Sequence, residues 1–532
     1  MTSPSTPPVV SGGRAAGTRA AGGRAWRAEF SARLGRDAGP AWLMAIPPLV
    51  TFVIMVWGIR GASYWRDEAA TLSAAQRPFG NLLRTLGNID AVHGAYYVLI
   101  WVMVRIGGTG ELVTRLPSAV AMAVAAVAVT ALGRRLVSLR AGLASGLVFA
   151  VLPQVSLYGQ DARPYAIVVA LAAVASYLLV RVMDAEAARQ RNRWLAWYAL
   201  CLAALGIVDI FGLLLVPAHA VTVGLRLLRW RDGQAGGAGE AAAGTGGDAA
   251  RAARSLGVGW LAAVVAAVVL VSPVLVLGYV QKGTLSWLTP PGLGSLKQLR
   301  TLIGPAALVN TVALVVAAGI VVSAILGRRR MRAAWPGSVP ALCLPWLILP
   351  PAILLIGSLI TPLYTLRYVL LCLPAIALLV GAGLSAFGWV LGTAGLVLIA
   401  VLAWPTQLQV RTADGHSDNI RRADRIVSAH WRPGDTVLEF KAENFAQAYP
   451  FGIRHLIPVA QAKSPVQSAT LVGTFLPDPV VRQRLTRVSR VWVIEYAHPT
   501  PLVILNGLHF QLIHAWRTSD IWLYLYARSK GG

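Results

Sequence analysis

Residues 92–107 read VHGAYYVLIWVMVRIG, an apolar stretch that opens beside a histidine and two tyrosines and closes on Arg105. If it crosses a bilayer, every later loop changes side. A crossing helix needs roughly 20 apolar residues, and this stretch is shorter. The basic residues decide the matter. With 92–107 not crossing and the N-terminus cytoplasmic, the inner segments are 1–40, 134–140, 181–193, 226–254 and 328–332. They hold 22 Arg in 94 residues, against 11 Lys and Arg in 93 residues of the outer segments 60–116, 158–163, 280–302 and 361–367. A crossing would send four of the five Arg clusters outside, against the positive-inside rule. The stretch therefore reads as a helix lying in the outer interface, where Tyr and Trp are at home.

Around it stand eleven apolar spans, at about 41–59, 117–133, 141–157, 164–180, 194–210, 211–228, 258–280, 305–326, 339–360, 368–384 and 386–404. Eleven crossings place the C-terminus outside. The composition agrees: of 532 residues, 56% are hydrophobic and 13% charged, where a soluble domain carries roughly 25% charged residues. A soluble multidomain enzyme, a disordered chain and a disulfide scaffold are excluded. Cys201, Cys343 and Cys372 all sit in apolar runs without a C-x-x-C, which argues against a cysteine zinc site. The net charge of +26 comes almost wholly from arginine. In a chain of many spans this points to loops facing anionic lipid rather than to nucleic acid.

The expected organisation has three parts. Residues 1–40, rich in Gly, Ala, Ser and Pro with six Arg, read as a disordered basic cytoplasmic tail. Residues 41–404 form an all-α polytopic membrane domain, with a long first outer loop at 60–116 and a cytoplasmic linker at 229–255. Residues 405–532 alternate short apolar runs with polar turns and read as a small extracytoplasmic α/β domain. Within it, RADRIVSAHWRPGDTVLEF predicts helix, turn and strand, while VSRVWVIEY and IWLYLYAR predict further strands.

This topology gathers Asp67, Glu68, Asp90, Glu111, Asp161 and Asp209 at the outer face. Acids beside hydrocarbon are costly and usually functional. In YWRDEAATL (64–72), Asp67 or Glu68 suits a general base for a hydroxyl; a helix start with acids in its first turn reads equally well. In NIDAVHGAYYVLIW (88–101), Asp90 and His93 lie three apart. They suit a ligand pair or a phosphate-orienting pair, or else a helix cap. In YGQDARPYA (158–166), Asp161 and Arg163 suit a phosphate clamp or a structural ion pair. In TPLYTLRYVLL (361–371), Arg367 between Tyr364 and Tyr368 suits a lipid phosphate, or else snorkels to the interface.

The ordered set WRDEA, D-x-x-HGAYY…W, GELVTRLPSAVA and LYGQDARPYA resembles the polyprenyl-phosphate-sugar-dependent glycosyltransferases of the C-type fold. It looks like the bacterial relatives of protein O-mannosyltransferase and of lipid A aminoarabinose transferase. The resemblance is strong over 41–182 and weaker at 361–384, and the outer tail with RPGD is similar to actinobacterial members labelled mannosyltransferases. It implies Asp67 as the base that takes the acceptor's proton, with Glu68 as its catalytic partner. It implies Arg163, Arg367, Arg115 and Tyr368 around the donor phosphate, with Asp90, His93, Asp161, Tyr165 and Tyr364 in support. Where the family more often has His-Pro-Pro or Lys-Pro, this chain has His93-Gly94-Ala95. The implied donor is a polyprenyl-phosphate sugar, mannose or a similar hexose. The implied acceptor is a protein, glycolipid or polysaccharide. No cofactor is assigned, and a divalent cation is left open. Two other classes compete: a transporter or flippase of lipid-linked sugars, and a non-catalytic member of the same fold. Transporters often show related halves, and no such symmetry is present here.

Overall fold

The computed structural model describes residues 40–235, 245–326, 339–439, 443–449, 451–496 and 503–529. The tail expected at 1–40 lies outside them, apart from Pro40. Seven described helices are long and apolar enough to span a membrane: Glu111–Leu136, Tyr165–Asp184, Ile210–Leu228, Ala253–Val280, Val339–Gly357, Leu366–Ala386 and Gly388–Val410. Counting each bent pair as one span gives up to nine among the described residues. The expectation of eleven is therefore not reached, and two regions explain the shortfall. The first apolar run yields only a short helix, Trp42–Val56, before the chain turns at Gly58, where φ is +66°. The run at 194–210 is the helix Ala188–Val208, whose first turns carry Arg189, Arg191 and Arg193.

Two expected spans are broken. Leu139–Val151 and Pro153–Gly159 meet at 62°, and Leu293–Thr301 meets Ala306–Val322 at 74°. Pro153 explains the first bend, because the residue before a proline is pushed out of the helical region; Leu152 has ψ 127°. The linker expected at 229–255 is shorter than read. The helix before it runs to Ala235 and the next begins at Thr245, as the helix-forming Ala and Arg residues favour; 236–244 lie outside the described residues.

Helices approach closely where side chains are small, as membrane packing requires. A Cβ on Gly381 would meet Ser145 Oγ at 2.2 Å, and one on Gly133 would meet the Gly142 Cα at 2.8 Å. On the outward faces Val390, Leu391, Val397 and Val401 are exposed, an apolar surface suited to lipid.

The stretch 60–116, expected on the outer side, folds into three helices, Arg66–Ala75, Phe79–Asn88 and Gly94–Gly107, the last entered through a 3-10 turn at Ala91–His93. The 92–107 stretch is thus a short apolar helix. It buries Tyr96, Tyr97 and Ile100 against Ala74, Ala75 and Leu82. Each large side chain so buried is worth roughly 1.5–3 kcal/mol.

Beyond Val410 lies a compact α/β unit. Its strands are β1 (Thr436–Glu439), β2 (Ile457–Pro458), β3 (Gln461–Lys463), β4 (Thr474–Phe475), β5 (Arg490–Tyr496), β6 (Phe510–Thr518) and β7 (Ile521–Arg528). Five form one sheet in the order β2-β1-β5-β7-β6, parallel across β2-β1-β5 and antiparallel across β5-β7-β6. The helix Ile420–His430, capped by Asn419 accepting from Arg422 N at 2.9 Å, packs on this sheet.

This unit is tied to the membrane part by polar contacts. Arg421 donates to the carbonyls of Arg60, Gly61 and Ala62 and to Glu111 Oε1 at 2.7 Å. Tyr449 donates to the same Glu111 oxygen and accepts from Tyr64 N, both at 2.9 Å. Ser63 N donates to Ala413 O at 3.0 Å.

Candidate active site

A cavity of about 390 Å³ lies where the short helices of residues 66–107, the ends of the spanning helices and the α/β unit meet. Asp67, Asp90, His93, Arg163, Tyr165, Arg367 and Tyr368 all line it, although 300 residues separate Asp67 from Arg367. Arg115, Glu68, Asp161 and Tyr364 do not line it.

The helix Arg66–Ala75 carries both acids of the Asp-Glu pair. Consecutive helical residues point about 100° apart, so the two cannot share a face. Asp67 turns to the cavity and pairs with Arg367, which lies over the rings of Trp65 and Trp287. Burial pushes the Asp67 carboxyl up, but Arg163, Arg367 and Arg66 together outweigh it and hold the group below its ordinary value.

Glu68 turns inward and is fully buried. Its two oxygens accept a bidentate fork from Arg115, each at 2.7 Å. Oε1 also accepts from Ala162 N at 2.8 Å and Oε2 from Trp65 N at 3.3 Å. The rest of the Arg115 guanidinium goes to the carbonyls of Ile59, Ala62 and Ser63. This places Arg115, expected at the donor phosphate, inside a sealed ion pair. Glu68, expected beside Asp67 in catalysis, instead holds the loop that bears Asp161 and Arg163. Tyr364 is removed too: its hydroxyl donates to Ser295 O at 3.3 Å and its ring packs with Leu288 and Tyr368.

Asp90 precedes the 3-10 turn in a left-handed conformation, φ 62°, and its side chain makes no cap bond to the turn. Its Oδ1 meets His93 Nδ1 at 2.7 Å and its Oδ2 accepts from the Tyr97 hydroxyl. His93 and these partners outweigh burial and hold the Asp90 carboxyl well down. Tyr97, in the first turn of the helix Gly94–Gly107, was not singled out in the sequence.

Arg163 completes the group, and its bonding is loose. It reaches Thr71 Oγ1, Tyr97 Oη and His93 Nε2 only at 3.4 Å, and its Nε is buried without a partner among the described residues. Good N–H···O bonds lie at 2.7–3.2 Å. The cavity thus holds a guanidinium with unspent donor capacity, suited to an anion.

Asp161 Oδ1 accepts from Trp65 Nε1 at 3.0 Å, and burial next to Glu68 pushes its carboxyl well up. Glu68, Asp161 and His416 offer ligand atoms within 4.8 Å of one another, the one such group among the described residues. They do not fit a cation. Both Glu68 oxygens already hold Arg115, whose positive charge would repel one, and burial disfavours the charged form of Asp161 that would bind it.

The sequence missed most of the α/β unit's share. Asp418 Oδ2 accepts from Arg66 N at 2.9 Å and so caps the helix that carries Asp67. Its Oδ1 accepts from the Tyr496 hydroxyl at 2.6 Å, and the Arg66 guanidinium lies 4.4 Å from the Tyr496 ring centre. Asn444, Phe445, Leu471, Val472, Glu495 and Tyr496 supply a wall of the cavity. No local motif announces these residues. Phe211, which stacks on Tyr368 with centroids 4.0 Å apart, was likewise unread.

Residues 92–223 match the family model of dolichyl-phosphate-mannose-protein mannosyltransferase. No curated protein matches the sequence. Among solved structures, ArnT from Cupriavidus metallidurans in the apo state aligns at a TM-score of 0.55 and 14% identity, covering 91% of this chain and 97% of that one. The same enzyme bound to undecaprenyl phosphate aligns at 0.56 and 14%, covering 92% and 98%. The match at 92–223 falls on the His93, Asp161 and Arg163 segments of the site, and the chain has the fold of the ArnT structures, the C-type glycosyltransferase fold that its motifs resemble.

Proposed function

We propose that the protein is a membrane glycosyltransferase that moves a sugar from a polyprenyl-phosphate donor to an acceptor hydroxyl at the extracytoplasmic face. The observation that carries this reading is the juxtaposition, in one cavity, of a carboxylate held ionised and two guanidiniums, one of them underused. The family match and the fold of a protein crystallised with undecaprenyl phosphate support it.

In this reading the lipid phosphate sits against Arg163 and Arg367, and the apolar side chains of Ile210, Phe211, Leu285 and Trp287 meet the first isoprene units. Asp67 accepts the proton of the acceptor hydroxyl. The oxygen attacks the anomeric carbon while the bond to the phosphate oxygen breaks. The electron pair leaves on the phosphate, which the guanidiniums stabilise as charge develops. One displacement inverts the anomeric centre. Arg367 must turn from Asp67 to the phosphate as the donor binds, which frees the carboxylate to act as base. Mannose, or a hexose like it, is the sugar proposed on the family match. The N-terminus is proposed to be cytoplasmic and the α/β unit extracytoplasmic, in the plasma membrane.

The test is transfer of label from a radiolabelled polyprenyl-phosphate hexose by purified protein and acceptor-containing membranes. Consumption of donor with release of polyprenyl phosphate is expected. Movement of intact donor across vesicles without consumption would identify a transporter instead. A reporter fused after Gly532 that is active only in the cytoplasm would overturn the orientation and the outer placement of the site.

A further inference from the structure

Asp90 and His93 form a dyad on the cavity wall. His93 Nδ1 meets Asp90 Oδ1 at 2.7 Å, and Asp90 Oδ2 accepts from the Tyr97 hydroxyl. A carboxylate oxygen only accepts, so Nδ1 carries the proton between them and Nε2 is the end left to change. Nε2 lies 3.4 Å from Arg163 Nη2 and has no other hydrogen-bond partner among the described residues. As a structural pair the dyad is complete through Nδ1 alone. Its other end stands instead beside a guanidinium that also has donors to spare. Two nitrogens 3.4 Å apart can both reach one oxygen at ordinary hydrogen-bond length. The charged groups around the ring are Asp90, Asp209 and Arg163, and the Tyr97 ring centre lies 6.2 Å away.

We propose that His93 is the acid of the reaction: as the bond from the anomeric carbon to the phosphate oxygen breaks, Nε2 gives its proton to the phosphate, and the lipid leaves as a hydrogen phosphate with one negative charge. This rests on the transferase reading above. A polyprenyl-phosphate sugar is a phosphodiester, whose oxygens are too weakly basic to take a proton near neutral pH. Cleavage makes it a monoester, whose second proton dissociates at about pH 6. Imidazole is the side chain that titrates in that range. The proton is therefore wanted only as the bond breaks, which lowers the barrier without tightening the ground state. The electron pair of the broken bond stays on the phosphate, the acceptor's proton goes to Asp67, and the His93 proton goes to the phosphate. Asp67 then returns its proton and the imidazole regains one through water, so the acceptor's hydrogen ends on the lipid phosphate. A singly charged product is also held less tightly by Arg163 and Arg367 than a doubly charged one, which favours its release.

The experiment follows kcat against pH with purified full-length enzyme, radiolabelled polyprenyl-phosphate hexose and acceptor-containing membranes. An acid works only while protonated, so kcat should fall on the alkaline side as well as on the acid side set by Asp67. His93→Gln keeps a side-chain N–H but has no proton to give. Its kcat should be lower by about a hundredfold or more, and its alkaline limb should vanish. Its acid limb should remain, with the donor KM within a few-fold of the unaltered enzyme. Asp90→Asn still accepts from Nδ1 but removes the negative charge behind the ring. With that charge gone the ring sheds its proton more easily, so the alkaline limb should move to lower pH. This second variant decides the matter if His93→Gln does not fold. An unaltered enzyme without an alkaline limb, a near-normal rate or a surviving alkaline limb in His93→Gln, or an unmoved limb in Asp90→Asn, would overturn the acid. Failure of the unaltered enzyme to consume donor at any pH would remove the transferase reading and this one with it, a result distinct from the others.

Discussion

Asp67 and Glu68 are neighbours in the chain, each is paired with an arginine, and the two pairs could hardly differ more. Glu68 and Arg115 are both fully buried, joined by two 2.7 Å bonds, with further donors and carbonyls filling what remains. Asp67 and Arg367 keep 23% and 13% of their side chains exposed, face a cavity, and hold each other by one contact. A sealed pair has no capacity left for a substrate. An open one can exchange partners. The same two residue types serve as structure or as chemistry according to which side of one helix they leave.

Three measurements would break or sharpen that contrast. The largest effect is expected at the open pair. Asp67→Asn keeps size but removes the basic oxygen, and general-base help is worth about 10²–10⁴-fold; kcat should fall at least about a hundredfold with thermal stability nearly intact. A well-folded Asp67→Asn enzyme at normal rate would move the base to Asp90, whose carboxyl is also held down at the cavity wall. At the sealed pair the readouts should swap. Glu68→Gln strands a buried guanidinium, which typically costs about 3–5 kcal/mol, so the thermal melt in detergent should drop steeply. An unchanged melt would mean that the pair is dispensable to the fold.

The third measurement concerns the cations and the pH profile. Arg163→Glu and Arg367→Glu should raise the donor KM far more than the Lys variants, which keep charge but lose the fork. Near-normal KM in all four would return both residues to structural roles. If Arg367 leaves Asp67 for the phosphate, the Asp67 carboxyl is held down in the free enzyme and rises in the complex. A base works only when deprotonated, so activity is lost as pH falls through its pKa. The acid limb of kcat, which reports the complex, should therefore lie at higher pH than that of kcat/KM, which reports the free enzyme. Superimposed limbs would mean that the pair persists through the reaction.

Hydropathy made most of the helices legible, because a bilayer demands long apolar runs and little else. It counted eleven spans where seven to nine described helices are long and apolar enough, the helix at 188–208 carrying arginines in its first turns, and it could not see that Pro153 breaks one run in two. At the site, Asp67, Asp90, His93, Arg163 and Arg367 were readable because charge near hydrocarbon is costly and stands out. Direction was not readable: Glu68 and Arg115 looked the same as Asp67 and Arg367 until the helix face was known. Asn444 and Asp418 were silent, since a lone polar residue in the α/β unit carries no local signal and matters only through what long-range folding brings to it.

The cap on the Asp67 helix has a consequence in time. Asp418 follows Arg66 by 352 residues. At roughly 5–20 residues per second of synthesis, the cap is made roughly 20–70 s after the helix it completes, once every intervening span has been threaded. Through that interval the Asp67 helix stands without its final clamp. The site is thus assembled late, so that only a chain translated past Tyr496 can hold a finished cavity.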